Sequence, residues 1–320
     1  MADPRHEAIE PLLRRALAHL IAGEREAGLA IYLDLLRAGR AEAMPVGNHL
    51  ALLERAGRAG EAAALRALTL ERGGILARRG AALDGTPIDP AAEYEALFAR
   101  GLVNSRMVQD YLAGLSRRGE ADRVAAFFDA ARLLRIVRID PALGPAARDM
   151  LLRAENPADY RQSELSVNQM CRIDGLEELG GPAPALIAAL RTEADRYLAD
   201  WAASDHPLAD QVPRHIRVKY WGLISRGEGF NTPHIHHRGW ATGVYYPIAV
   251  EGGAGHQGGG DICVGPPPRL KQRYPGWPDA RIRPEPGMLI LMPSFYTHWT
   301  IPLGAPGLRL SIAFDMIRAG

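Results

Sequence analysis

The chain has only two cysteines, Cys171 and Cys263, only two lysines, Lys219 and Lys271, and no tryptophan before residue 201. Two cysteines cannot build a disulfide framework, so packing must hold the fold, and free thiols suit a reducing compartment such as the cytoplasm. No apolar run reaches the eighteen or so residues of a membrane-spanning helix, and MADPRHEAIEPLLRRALAHL lacks the apolar core of a secretory signal. An excess of charge is missing too. Lysine and arginine total 38 against 37 acidic residues, a formal net charge of +1. No global field therefore draws the protein to nucleic acid or an anionic membrane, and neither is expected as a partner.

What is present changes along the chain. Residues 1–155 are rich in Ala, Leu, Arg and Glu, all good helix formers or compatible with helices. They also repeat: GEREAGLAIYLDLL starts at Gly23, GRAGEAAALRALTL at Gly57 and GEADRVAAFFDAARLL at Gly119. The first interval is that of a tetratricopeptide repeat, the second a little short of two such periods. Leu29, Tyr32, Leu33 and Leu36 in the first copy, and Val124, Phe127, Phe128 and Ala131 in the third, have the spacing of an apolar helical face. The first and third copies resemble degenerate tetratricopeptide repeats, and the second lacks their large aromatic. The expectation is an α-helical repeat domain over 1–155, with a plain helical bundle as the alternative. Its balanced charges do not mark a nucleic-acid groove; such arrays commonly present a concave face to a peptide or protein.

Residues 156–320 follow other rules. Pro184–Trp201 places Leu186, Leu190, Tyr197 and Trp201 on one helical face. Thereafter the period is two: Ile216, Val218 and Tyr220 alternate with Arg217 and Lys219, and further strands read at 240–250, 288–292 and 308–317 between Gly/Pro-rich turns. Short strands with such turns predict an antiparallel barrel or sandwich, making the chain α+β.

Three of the ten histidines fall within NTPHIHHRGW: His234, His236 and His237. On an extended segment residues i and i+2 share a side, so His234 and His236 can converge while His237 turns away. His298 follows the apolar run PEPGMLILMPSFYTH. In the last strand, RLSIAFDM, Arg309 and Ser311 share the face opposite Leu310, Ile312 and Phe314. An inward arginine needs an anionic partner, from the protein or a ligand. Imidazoles suit divalent iron, and a small dicarboxylate chelating that metal at one end could reach Arg309 and Ser311 with the other.

These motifs in this order (N-x-x-H-x-H, ATGVYYPI, GGDICVGPP, PG-x-L-x-L-x-PS-x-x-x-H and R-x-S-I-A-F) resemble the bacterial 2-oxoglutarate/Fe(II)-dependent oxygenases across about residues 215–317. The resemblance implies a double-stranded β-helix (jelly roll) in 156–320, following the repeat domain of 1–155. It implies Fe(II), 2-oxoglutarate and dioxygen, with succinate and carbon dioxide released and hydroxylation as the commonest outcome. It makes His234 and His298 metal ligands and has Arg309, supported by Ser311, bind the distal carboxylate. The wider superfamily carries H-x-D or H-x-E where this chain has His236. His236 is expected as the third ligand, of a site His234, His236 and His298; a vacant carboxylate position and a shifted register are the alternatives. Asp261, the nearest acidic candidate, has the wrong spacing. Asn231, Tyr245, Tyr246, Trp240 and Trp299 flank the motifs and are open to pocket or packing roles. The expected function is hydroxylation of an amino-acid side chain in a peptide or protein held with help from the repeats. The rivals are a three-histidine dioxygenase without 2-oxoglutarate and a non-catalytic repeat scaffold.

Overall fold

The period-two segments pair antiparallel. The structure, a computed structural model, describes residues 59–72, 91–99, 101, 103–162, 166–237, 239–252, 255–267 and 273–319, with scattered positions from 12 to 58. The chain divides into two compact units, Met1–Leu97 and Phe98–Gly320. The expected boundary between 155 and 156 therefore falls inside the second unit. No helix among the described residues is long and apolar enough to cross a membrane.

In the first unit the repeat at Gly57 opens helix α1, Ala59–Arg72, with Gly57 left-handed at φ +71° and Ala62 and Leu65 buried. The apolar positions Leu29, Tyr32, Leu33 and Leu36 lie outside the described residues. Helix α2, Ala91–Ala99, spans the division. In the second unit α3, Ser105–Arg117, and α4, Ala121–Ala126, form a pair around Gly119, left-handed at φ +76°. Val124, Phe127 and Phe128 are buried as the third copy predicts, but Ala131, the fourth position of that face, is exposed. The chain then leaves the helical pattern: after the short α5, Ala130–Leu133, it forms strand β1, Arg135–Arg138. Helices α6, Leu143–Arg153, and α7, Ala183–Ala202, follow, with Leu186, Leu190, Tyr197 and Trp201 of α7 all buried as expected.

The remaining strands are β2 (Arg161–Gln162), β3 (Val167–Asp174), β4 (Ile216–Asn231), β5 (Ala241–Tyr246), β6 (Glu251–Gly252), β7 (Ile262–Val264), β8 (Ala280–Ile282), β9 (Met288–Pro293), β10 (His298–Thr300) and β11 (Gly307–Arg318). The large sheet runs β1-β9-β5-β11-β4-β3-β2, with β6 also on β11, and a small sheet runs β10-β7-β8. The mixture of helices with antiparallel sheets agrees with the α+β expectation at that level.

The two faces of the large sheet differ. Alternation on β11 puts Leu310, Ile312 and Phe314 on one face, where small residues admit the covering groups. A Cβ on Gly243 would stand 2.2 Å from the Phe314 ring, and one on Gly222 2.5 Å from Leu151 of α6. This outer face is the helix-covered one. The inner face carries Arg309, Ser311, Ala313 and Asp315 from β11, opposite Ser225, Leu223, Trp221 and Lys219 of β4. β3 and β4 pair out of step between Asn168 and Met170, where Gln169 takes φ +48°. Beyond this bulge Met170 approaches Arg309.

Candidate functional site

After β4 the chain crosses to the small sheet through Thr232–His237, and backbone hydrogen bonds fix that crossing at several points. Thr232 N–H donates to Ser166 O, His236 N–H to Ser294 O, and His234 and His298 exchange both bonds at 3.1 Å. This antiparallel bridge brings the two sequence-distant histidines side by side.

His234, His236 and His298 each offer a nitrogen within 4.8 Å of the others. Ring centroids lie 4.4 Å apart for His234–His298, 5.0 Å for His236–His298 and 5.1 Å for His234–His236. Each Nδ1 is occupied: His234 faces Thr232 O at 2.7 Å, His298 faces Tyr296 O at 3.0 Å, and His236 faces Asp315 Oδ1 at 2.5 Å. An acceptor at Nδ1 puts the proton there and leaves Nε2 a lone pair for a metal. The Nε2 atoms of His234 and His236 stand 3.2 Å apart. Two neutral imidazoles repel lone pair against lone pair at that distance, which a shared cation would relieve. Burial, with the adjacent His236 ring adding to it, lowers the His234 pKa to about 4. Burial, then His234 and His236, pushes His298 well below its ordinary value. The His234 and His298 rings are thus uncharged at neutral pH, as ligands must be. His237 is exposed and outside the cluster, as the alternation requires.

Asp315 is the residue the sequence reading missed. Its signal was there: the Arg309–Ser311 face continues through 313 to 315. Register places Asp315 opposite Thr242 of β5, whose hydroxyl donates to Phe314 O and lies 3.4 Å from His236 Nδ1. Trp221 stacks on the His236 ring, centroids 5.8 Å apart. Asp261 is engaged elsewhere, accepting from Arg281 at 2.8 Å and Arg283 at 3.1 Å.

Arg309 is 2% exposed, and its nearest polar contacts are Ile301 O at 3.5 Å and Met170 Sδ at 4.0 Å, both at the limit of a hydrogen bond. Among the described residues no carboxylate pairs with it. Burial lowers its pKa, while nearby Tyr246 opposes that shift. Tyr246 is itself buried, and its hydroxyl pKa rises to about 12 for that reason. Ser311, 5% exposed, shares the face of Arg309. A desolvated cation beside hydroxyls, without an anion, has the chemistry of a carboxylate receptor.

The helices assigned by sequence to the repeat domain also touch this region. Ser105 at the start of α3 donates to Gly239 O at 3.1 Å, and Gln109 donates to Phe295 O and Thr297 Oγ1, both at 3.3 Å. α3 thereby braces both histidine-bearing loops. Of the flanking residues left open, Trp240 packs on Trp201 of α7, centroids 5.4 Å apart, which is a packing role. Asn231 is buried and its backbone N–H donates to Thr300 Oγ1. Trp299 pairs with Cys263 on the small sheet.

Residues 219–315 match the family described as "Putative 2OG-Fe(II) oxygenase". No curated protein matches the chain. Among solved structures, a Pseudomonas putida prolyl-4-hydroxylase aligns with TM-score 0.42 and 16% identity, over 62% of this chain and 100% of its own. A Trichoplax adhaerens prolyl hydroxylase, in complex with a hypoxia inducible factor oxygen degradation domain peptide fragment, aligns at 0.41 and 14%, over 63% and 92%. HygX from Streptomyces hygroscopicus, with nickel and 2-oxoglutarate bound, aligns at 0.37 and 13%, over 59% and 85%. Likenesses this distant say nothing of substrate. The family match spans Lys219 to Asp315, the stretch that carries His234, His236, His298, Arg309 and Ser311.

Proposed function

We propose that His234, His236 and His298 hold the iron and that Arg309, with Ser311, holds the distal carboxylate of 2-oxoglutarate. The observation that carries this is the pairing of two incomplete sites on adjoining strands: three imidazoles with inward nitrogens, and a buried guanidinium with no anionic partner among the described residues. When bound, iron(II) and 2-oxoglutarate would activate dioxygen, the oxidant, 2-oxoglutarate being oxidised to succinate and carbon dioxide as the substrate is hydroxylated. The chain's own part is to bind and to orient. Thr232 O, Tyr296 O and Asp315 keep the Nδ1 protons in place, so the Nε2 lone pairs converge. Arg309 fixes the far end of the co-substrate, and Ser311 offers it a hydroxyl. Trp221 on His236 keeps water from one side of the cluster.

The reading extends to a double-stranded β-helix for the sheet region and to hydroxylation of an amino-acid side chain in a peptide or protein, with the helical repeats of the N-terminal region helping to bind it. The left-handed glycines at 57 and 119, each opening a helix, support the repeats. The free, buried Cys171 and Cys263 suit a cytoplasmic site of action.

The test is anaerobic loading with Fe(II), then titration with 2-oxoglutarate, followed by the visible metal-to-ligand charge-transfer band. The wild type should develop the band, Arg309→Ala should need far more 2-oxoglutarate to reach it, and His236→Ala should lose or shift it. Iron binding without a band in the wild type would overturn the co-substrate assignment, and no iron binding would overturn the metal site. Incubation with peptide mixtures, 2-oxoglutarate and air, read by mass spectrometry for gain of one oxygen, tests the substrate class.

A further inference from the structure

Three neutral imidazoles bring a dication no compensating charge. In a site where His298 is 4% exposed, that matters, since a buried charge is costly unless opposed. The carboxylate in contact with the cluster is Asp315, one imidazole away from the metal position. Its Oδ1 lies 2.5 Å from His236 Nδ1, and the two side chains are 16% and 10% exposed. Among the described residues no lysine or arginine pairs with it, unlike Asp261, which is shared by two arginines. The carboxylate is also held in place. A Cβ on Gly239 would stand 3.3 Å from Asp315 Oδ1 and 2.4 Å from Ser294 Oγ, so only the bare glycine lets the loop after His237 close over it. Trp221 stacks on the ring the carboxylate addresses.

We propose that Asp315 is a positioning residue that supplies, through His236, the negative charge the three-histidine set lacks. An anion at Nδ1–H raises the electron density at Nε2 and strengthens it as a ligand. The site's charge thus sits in its outer layer, on β11, the strand that also carries Arg309. This rests on the metal-site reading above and adds that the charge of Asp315, not only its hydrogen bond, sets metal affinity.

Asp315→Asn separates the two, because its amide oxygen can still accept from Nδ1–H. Fe(II) and Co(II) affinities of the full chain would be measured anaerobically by competition with a chromophoric chelator, with melting of the metal-free protein as the folding control. Asp315→Asn should bind about 10–100-fold more weakly than wild type. Asp315→Glu, which keeps the charge on a longer arm, should bind better than Asp315→Asn. With His236→Asp, which places a carboxylate directly at the metal, adding Asp315→Asn should no longer weaken binding. Wild-type affinity in Asp315→Asn, or a Glu variant weaker than the Asn variant, would overturn the proposal while leaving the metal site standing. The same loss with and without His236→Asp would do so as well. A wild type that binds neither metal overturns the metal site and this inference together.

Discussion

At one end of the inner face of β11, Asp315 accepts a hydrogen bond from His236; at the other, the Arg309 guanidinium makes no hydrogen bond shorter than 3.5 Å among the described residues. The two residues lie six positions apart on one strand, about 20 Å along it. Both are removed from water, and both would be costly there if left alone. The fold satisfies one from within and leaves the other open. An internally satisfied charge can adjust a group that the protein owns, here an imidazole. An unsatisfied one has to be completed from outside, and its cost in the empty protein is returned when an anion arrives.

Arg309→Leu should break this contrast with the largest effect. Affinity for 2-oxoglutarate should fall by at least about 100-fold, since removing one partner of a buried charge pair costs about 3–5 kcal/mol. The metal-free, ligand-free protein should be more stable by about 1–3 kcal/mol, because a desolvated cation has been replaced by an apolar side chain. Urea unfolding with and without 2-oxoglutarate measures both. A variant that is less stable when empty would mean that Arg309 already has its partner in the protein.

That the site was partly legible in sequence, and in which parts, has a physical explanation. The i, i+2 rule placed His234 and His236 together and sent His237 away, because it depends only on an extended backbone. β4, β5, β9 and β11 were visible because they are long enough to show alternation or an apolar run. The three-residue strands β7, β8 and β10 are too short for a period, and β1 is an edge strand inside a helical region, so none was foreseen. Residues 98–153 read as repeat helices because an amphipathic helix has the same pattern whether it packs on another helix or on a sheet. The partners of α3 in the histidine loops, Gly239, Phe295 and Thr297, are more than a hundred residues away, beyond any local pattern. Asp315 was missed although it lies on the Arg309 face, since an acidic residue near a strand end resembles an ordinary solvated one.

His206 sharpens the comparison from another side. It too is buried, but both its nitrogens are used, Nδ1 accepting from Leu208 N–H at 3.0 Å and Nε2 donating to Phe127 O at 3.3 Å. The three clustered histidines use only Nδ1 in that way. Burial lowers the His206 pKa to about 4, against the partial opposition of the Phe127 carbonyl. With the folded value depressed, the unfolded chain takes up the proton first, so stability is complete above about pH 6.5 and falls as pH drops toward 4. His206 alone accounts for roughly 3 kcal/mol of that loss. His206→Gln should therefore be less stable than wild type at pH 7 but flatter from pH 6.5 to 4 in urea unfolding of the metal-free protein. An equally steep acid profile in His206→Gln would show that its proton is not taken up on unfolding.

The smallest effect belongs to the arginine that most resembles Arg309 in position and least in circumstance. Arg226 is the β4 partner of Leu308, the residue next to Arg309. It points outward and pairs with Glu155 through two hydrogen bonds of 2.8 Å, with side-chain exposures of 48% and 15%. The Arg226 hydrogen bond holds the Glu155 carboxyl below its usual range, so the pair contributes above the unfolded carboxyl pKa and is lost as pH falls through the folded value. Water and salt already screen an arginine this exposed, and Arg226→Gln should cost no more than about 1 kcal/mol at pH 7, less at high salt. Affinity for 2-oxoglutarate should not change. If Arg226→Gln instead reduced that affinity as Arg309→Leu does, the deciding feature would be positive charge at this end of the sheet, and the buried, unpaired guanidinium would lose its special standing.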